Sequence, residues 1–129
     1  MKAIGYIRVS TIGQATDGVS LDAQKSKIRA WAEVNDSELI RIFADEGISG
    51  AKGDRPGLNG AIEQACSQGA ALVVYSLSRL SRSTKDTLEI AERLDKAGAD
   101  LVSLSEKIDT TTAAGKMVFR MLAVLNEFE

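Results

Sequence analysis

The sequence predicts an α/β fold, a mostly parallel sheet of four to five strands with helices on both faces. Two observations predict it. Short apolar runs alternate four times with segments of helical spacing and helix-capping residues. One run, Ala71-Leu72-Val73-Val74-Tyr75-Ser76, is continuously apolar up to its end, as expected of a strand buried on both faces. In such a sheet the crossovers are expected to be right-handed, and the working site lies beyond the carboxyl ends of the strands.

The elements follow in order. Residues 3–9 form the first strand. Ser20 caps a helix over 21–34, apolar at Leu21, Ile28, Trp31 and Ala32. Residues 39–44 form the second strand, carried by Leu39, Ile40, Ile42 and Phe43. Pro56 suits the first turn of a second helix, which Gly69 closes. The third strand covers 71–76, and Ser83 or Thr84 starts a third helix that runs to Lys96 and is stopped by Gly98. The fourth strand covers 100–105, and a last helix starts near Ala113 and still runs at Glu129. Residues 11–20 and 47–60 are not core; the second segment holds five glycines and is expected to be mobile.

The last helix departs from the pattern. Met117, Val118, Phe119, Met121, Leu122, Val124, Leu125 and Phe128 cover most of its circumference. A helix packed on one side of a small domain carries a polar face. Part of this surface is therefore expected to meet another chain or further sequence. No capping signal closes the helix, so the natural chain is expected to continue beyond Glu129.

Composition excludes several chemistries. The length of 129 residues suits one domain. Without histidine there is no Ser-His-Asp or Cys-His machinery and no His-ligated metal. The single cysteine, Cys66, allows no internal disulfide and reads as a small core residue. With 16 Lys plus Arg against 18 Asp plus Glu the net charge is −2, so this stretch alone is expected to bind nucleic acid weakly and in a salt-sensitive way. No stretch approaches the length of a membrane span and no signal peptide precedes the first strand, so a cytoplasmic protein with no membrane partner is expected.

The residues able to do chemistry sit at strand ends. Alternation puts Tyr6, Arg8 and Ser10 on one face of the first strand. An arginine in a buried strand is costly unless something anionic meets it. Taken alone, Arg8 also fits an edge strand in water. After the third strand, Ser78-Arg79-Leu80-Ser81-Arg82-Ser83 sets two arginines three apart at an expected helix start. Guanidinium forks, hydroxyls and free helix N–H groups suit a phosphate. Arg55, in the glycine-rich segment, can close over the same crevice. A serine among Arg8, Arg55, Arg79 and Arg82, with no histidine, suits attack on a phosphodiester rather than an acyl carbon. Two other phosphate motifs fail. Gly115-Lys116-Met117 lacks the distal glycine and the hydroxyl of a P-loop, and no Gly-x-Gly-x-x-Gly follows the first strand. Asp45-Glu46 is a weak candidate for Mg²⁺.

These residues fall into ordered runs: Tyr6-Ile7-Arg8-Val9-Ser10-Thr11, Ser20-Leu21-Asp22-Ala23-Gln24, Asp45-Glu46-Gly47-Ile48-Ser49-Gly50, Asp54-Arg55-Pro56-Gly57-Leu58, Ser78 to Ser83, and Gly115-Lys116-Met117-Val118. In that order, across nearly the whole chain, they resemble the catalytic domain of the serine site-specific recombinases, the resolvase/invertase family. The resemblance implies that Ser10 attacks a DNA phosphodiester, giving a 5′-phosphoserine link and a free 3′-OH, with strand exchange and religation to follow. It implies that Arg8, Arg79 and Arg82 bind the phosphate, and that Tyr6, Gln24, Asp45 and Arg55 support the site. Glu129 matches a family glutamate that begins the helix segment approaching a partner's active site. No cofactor is implied. The implied division is a catalytic domain over 1–112 and the start of a long dimerisation helix over 113–129, with a DNA-binding region beyond. The implied partners are double-stranded DNA at a specific recombination site and further copies of the chain, a homodimer assembling to a tetramer.

Ser78 stands where small resolvases and invertases often carry Asp, so the base for Ser10 is left open. The loop before Ser20 and the run Asp45 to Gly50 look more like the large integrase and transposase branch. Two other classes fit parts of the pattern. A non-catalytic phosphate- or nucleotide-binding regulatory domain would explain the arginines, and a dimerisation module would explain the last helix.

Overall fold

A computed structural model describes residues 1–9, 20–46, 55–81 and 83–127. Ser10, Arg82, Phe128 and Glu129 lie outside the described residues, as do residues 11–19 of the expected loop 11–20 and residues 47–54 of the glycine-rich segment. The elements are β1 (Lys2–Val9), α1 (Leu21–Val34), β2 (Glu38–Glu46), α2 (Pro56–Gln68) and β3 (Ala71–Val74), then α3 (Leu77–Leu80), α4 (Thr84–Lys96), β4 (Asp100–Ser103), β5 (Ile108–Asp109) and α5 (Ala113–Glu127). The sheet has five strands in the order β2-β1-β3-β4-β5. Every pairing is parallel except that of β4 with β5.

β1 therefore lies inside the sheet, between β2 and β3. The edge-strand reading of Arg8 is excluded, and Arg8 is buried with 7% exposure. The two faces of the sheet carry separate cores. On one, Ile4, Tyr6, Leu72, Val74 and Leu101 pack with Leu58, Ala61, Ile62 and Ala65 of α2, Leu80 of α3 and Leu94 of α4. On the other, Ala3, Ile7, Ala71, Val73 and Val102 pack with Ile28 of α1. Period-2 alternation of apolar side chains on central strands produces this division.

The helix boundaries follow local chemistry. The Ser20 hydroxyl accepts the Ala23 N–H at 3.1 Å, and the Ser83 hydroxyl accepts that of Asp86 at 3.1 Å. Pro56 opens α2, and Gly69 closes it with φ +61°, a left-handed value that glycine adopts without a Cβ penalty. Gly115 is needed for a different reason. A Cβ there would lie 1.8 Å from the Asp109 carbonyl oxygen, so the first turn of α5 rests directly on β5.

Four expectations are corrected. β3 and β4 stop at Val74 and Ser103, two residues earlier than expected for each. β2 runs on to Glu46, so Asp45 belongs to the strand rather than following it. Arg79 does not open the helix that starts at Thr84; it lies in a separate single turn, α3. Cys66 is half-buried against the core rather than within it. On α5, Phe119 is buried, whereas Met117, Met121 and Leu125 are about 60% exposed, with Val118, Leu122 and Val124 also open. Among the described residues, no helix is long and apolar enough to cross a membrane.

Candidate active site

Arg8 enters the carboxyl end of β1 and Arg79 follows β3, one strand over. β3 pairs with β1 only as far as Val74 opposite Tyr6. Beyond that point side chains take over the main chain of Arg8. The carboxamide of Gln24, fully buried on α1, accepts the Arg8 N–H at 3.3 Å and donates to the Arg8 carbonyl at 3.1 Å. Arg79 Nη1 also donates to that carbonyl, at 3.2 Å. In return, Arg8 Nε donates to the Arg79 carbonyl at 3.1 Å, and Arg8 Nη2 donates to the Ser78 carbonyl. Each arginine thus holds the backbone of the other. Both are buried, at 7% and 6% exposure, and charge-assisted bonds to carbonyl oxygens offset part of the desolvation of the two cations.

Arg55 closes the third side. It is the residue before α2, and its Nη1 donates to the Leu80 carbonyl at 2.7 Å, one residue from Arg79. Its Nε is buried with no hydrogen-bond partner. The structure therefore brings together Arg8, Arg55 and Arg79 of the expected cluster. Arg79, expected at a helix start, is instead a buried guanidinium of the single turn α3, locked to β1.

Asp45 explains how α2 and Arg55 are held there. Its carboxylate, 2% exposed, accepts from Tyr6 Oη at 2.7 Å, Gly57 N at 2.8 Å and Leu58 N at 3.0 Å. Arg55 occupies the N-cap of α2 and provides no side-chain cap, so Asp45 caps the helix from β2. Gly57 permits the approach: a Cβ there would lie 2.6 Å from the Ala44 carbonyl and 2.8 Å from Asp45 Oδ1. Adjacent strand residues face opposite sides, and Glu46 is exposed, so the two acids do not form a shared metal site.

Burial, the hydrogen bond to Asp45 and the negative charge of Asp45 together raise the Tyr6 phenol well above its ordinary value of 10.0, against smaller opposing effects of Arg55 and Arg8. The folded state thus keeps a proton that the unfolded chain releases near pH 10. The stabilisation is complete below that pH and is lost as the pH rises from there towards the folded-state value. Urea midpoints followed from pH 8 to 11 should fall at the alkaline end, and Tyr6→Phe should flatten that fall. An alkaline fall of the same size in Tyr6→Phe would contradict the assignment.

Gln24, implied by the resemblance to support the site, does so by satisfying both main-chain groups of Arg8. Its position, three residues after Leu21 on the buried side of α1, was the available signal. The hydroxyls of Ser76 and Ser78 bond to each other at 2.9 Å. A cavity of about 280 Å³ elsewhere, lined by residues such as Leu88, Leu101 and Phe119, includes none of the three arginines.

The family model described as "Resolvase, N terminal domain" matches residues 3–129. The chain belongs to this family. The DNA-invertase hin of Salmonella typhimurium is 38% identical over 129 residues, covering 100% of this chain and 61% of that protein. The transposon Tn552 resolvase of Staphylococcus aureus is 40% identical over 128 residues, covering 98% of this chain and 58% of that protein. The resolvase-type chain therefore spans about three-fifths of the length of these curated relatives. Among solved structures, the N-terminal catalytic domain of TP901-1 integrase matches with a TM-score of 0.88 and 37% identity, over 99% of this chain and 96% of that one. A resolvase family site-specific recombinase from Streptococcus pneumoniae matches with a TM-score of 0.79 and 30% identity, over 99% of this chain and 87% of that one. The fold is that of a serine recombinase catalytic domain.

Proposed function

We propose that the chain is the catalytic domain of a site-specific DNA recombinase and that Ser10 is its nucleophile. The observation that carries this reading is the Arg8–Arg79 lock, with Arg55 beside it, at the carboxyl end of the strand that leads into Ser10. In the proposed step Ser10 Oγ forms a bond to the scissile phosphorus and the bond from phosphorus to the 3′ oxygen breaks. The serine proton leaves and the 3′ oxygen gains one. One phosphodiester replaces another, so religation needs no external energy source, and the covalent intermediate divides one hard step into two. Arg8, Arg55, Arg79 and Arg82 stabilise the charge that gathers on the phosphoryl oxygens.

The proposed substrate is double-stranded DNA at a specific recombination site. The proposed division is catalytic residues 1–112 and a dimerisation helix from 113 onward. The exposed apolar side chains of α5 support a second copy of the chain as its partner, with a tetramer for strand exchange. In the test, the whole protein reacts with DNA from its source, denaturant stops the reaction, nuclease trims the adduct, and mass spectrometry maps it. A nucleotide joined through its 5′ phosphate to Ser10 is the expected result. A 3′ link, another residue, or no adduct would overturn the reading.

A further inference from the structure

We infer that Glu106 is a positioning residue for the catalytic arginines, acting through the single turn α3. The inference rests on the recombinase reading for its functional consequence and on geometry for its structural part. Ser76 occupies the N-cap of α3 but makes no capping bond. Its hydroxyl is engaged with that of Ser78 at 2.9 Å. The Leu77 N–H, an orphan donor of that turn, is taken by Glu106, at 3.2 Å and 3.3 Å to the two carboxylate oxygens. Glu106 also accepts from the hydroxyl of Ser103, a residue with 0% exposure. The carboxylate is thus oriented from below by a buried serine and presented to the start of α3.

The surrounding backbone makes this a continuation of the sheet rather than a chance contact. Past the end of β4, Leu104 N donates to Val74 O at 3.1 Å and Ser105 N to Tyr75 O at 2.8 Å. Lys107, at φ +59°, then reverses the chain into β5. Residues 104–106 therefore bind 74, 75 and 77 in succession, and Glu106 makes the last of these links. The next two residues of α3 supply the carbonyls of Ser78 and Arg79 that hold the Arg8 guanidinium. Arg79 in turn reaches back to the Arg8 carbonyl. Buried Leu80 and the Arg55 bond to its carbonyl hold the end of this four-residue helix, and Glu106 holds its first N–H, so that the carbonyls between them keep their direction.

The test uses the ¹⁵N-labelled chain without DNA. Glu106→Ala should speed exchange of the Leu77 amide by roughly tenfold, the size of losing one charge-assisted bond. It should also shift the Nε–H signals of Arg79 and Arg8, while amides of Leu72 and Val73 in β3 keep their protection. Glu106→Gln keeps an acceptor oxygen and should restore both readouts. In the whole protein, Glu106→Ala should lower the rate of adduct formation at saturating DNA by about tenfold and leave the apparent DNA affinity unchanged, because only the groups aimed at the phosphate have moved. Unchanged Leu77 exchange and unchanged arginine signals in Glu106→Ala would overturn the inference, as would equal loss of protection throughout β3. The readout without DNA decides the role of Glu106 even if the parent protein forms no adduct, a result that would overturn only the recombinase reading.

Discussion

Ser10→Ala is expected to abolish covalent capture of DNA, with a loss on the order of 10⁴-fold or more, as when the nucleophile of a covalent catalyst is removed. DNA affinity should hardly change, because one hydroxyl adds little beside the Lys and Arg contacts to phosphates that carry such affinity. Arg79→Ala should lower adduct formation by about 10²- to 10³-fold, the scale seen when one preorganised donor to a developing oxyanion is lost. Arg79→Lys should recover little of it. A lysine cannot present a planar fork, so it cannot hold the Arg8 carbonyl and address a phosphate at once. Trapped adduct measured on denaturing gels checks all three variants. If Ser10→Ala captured DNA as well as the parent, another group would be the nucleophile. If Arg79→Lys matched the parent, the mutual lock with Arg8 would be irrelevant to the chemistry.

The elements that were legible in the sequence are those fixed by local signals. Ser20, Pro56, Gly69 and Ser83 mark helix ends through bonds or dihedral angles confined to a few residues. The alternation of Ile4, Tyr6 and Arg8 placed Arg8 on its face because a strand has period two. Strand ends were less legible. Tyr75 and Ser76 continue the apolar run and the extended backbone, yet the chain turns into α3 because long-range partners hold it, Glu106 being 29 residues away from Leu77. The candidate site was legible in membership and not in arrangement. Arg8 and Arg79 were both named, but 71 positions separate them, and nothing local says that each grips the backbone of the other. The same is true of Asp45. An acid at the end of a strand reads as a metal ligand, and its three donors come from residues 12, 13 and 39 positions away.

That arrangement gives Asp45 the largest expected effect on stability. Asp45→Ala should lower the free energy of unfolding by about 3–5 kcal/mol, as when one partner of a buried charged network is removed. Three donors lose their acceptor together: the phenol of fully buried Tyr6 and two N–H groups at the start of α2. Asp45→Asn keeps the volume and one acceptor oxygen but turns an N–H₂ towards donors, and should cost about half as much. Urea denaturation gives both values, and an unchanged m-value would show that the folded state alone was affected. Tyr6 supplies the internal check. In a double-mutant cycle of Tyr6→Phe with Asp45→Ala, the combined loss should fall short of the sum by about 1–2 kcal/mol, because each change removes the same 2.7 Å bond. Additive losses would mean that the two side chains do not share that bond in solution. The effect on catalysis should then follow from the helix. Without its cap the start of α2 loosens, and Arg55 one residue before it loses its hold on the Leu80 carbonyl. Asp45→Ala should therefore also depress adduct formation at temperatures well below its unfolding transition. Full stability combined with lost activity would instead make Asp45 a participant in the proton transfer of the proposed Ser10 attack.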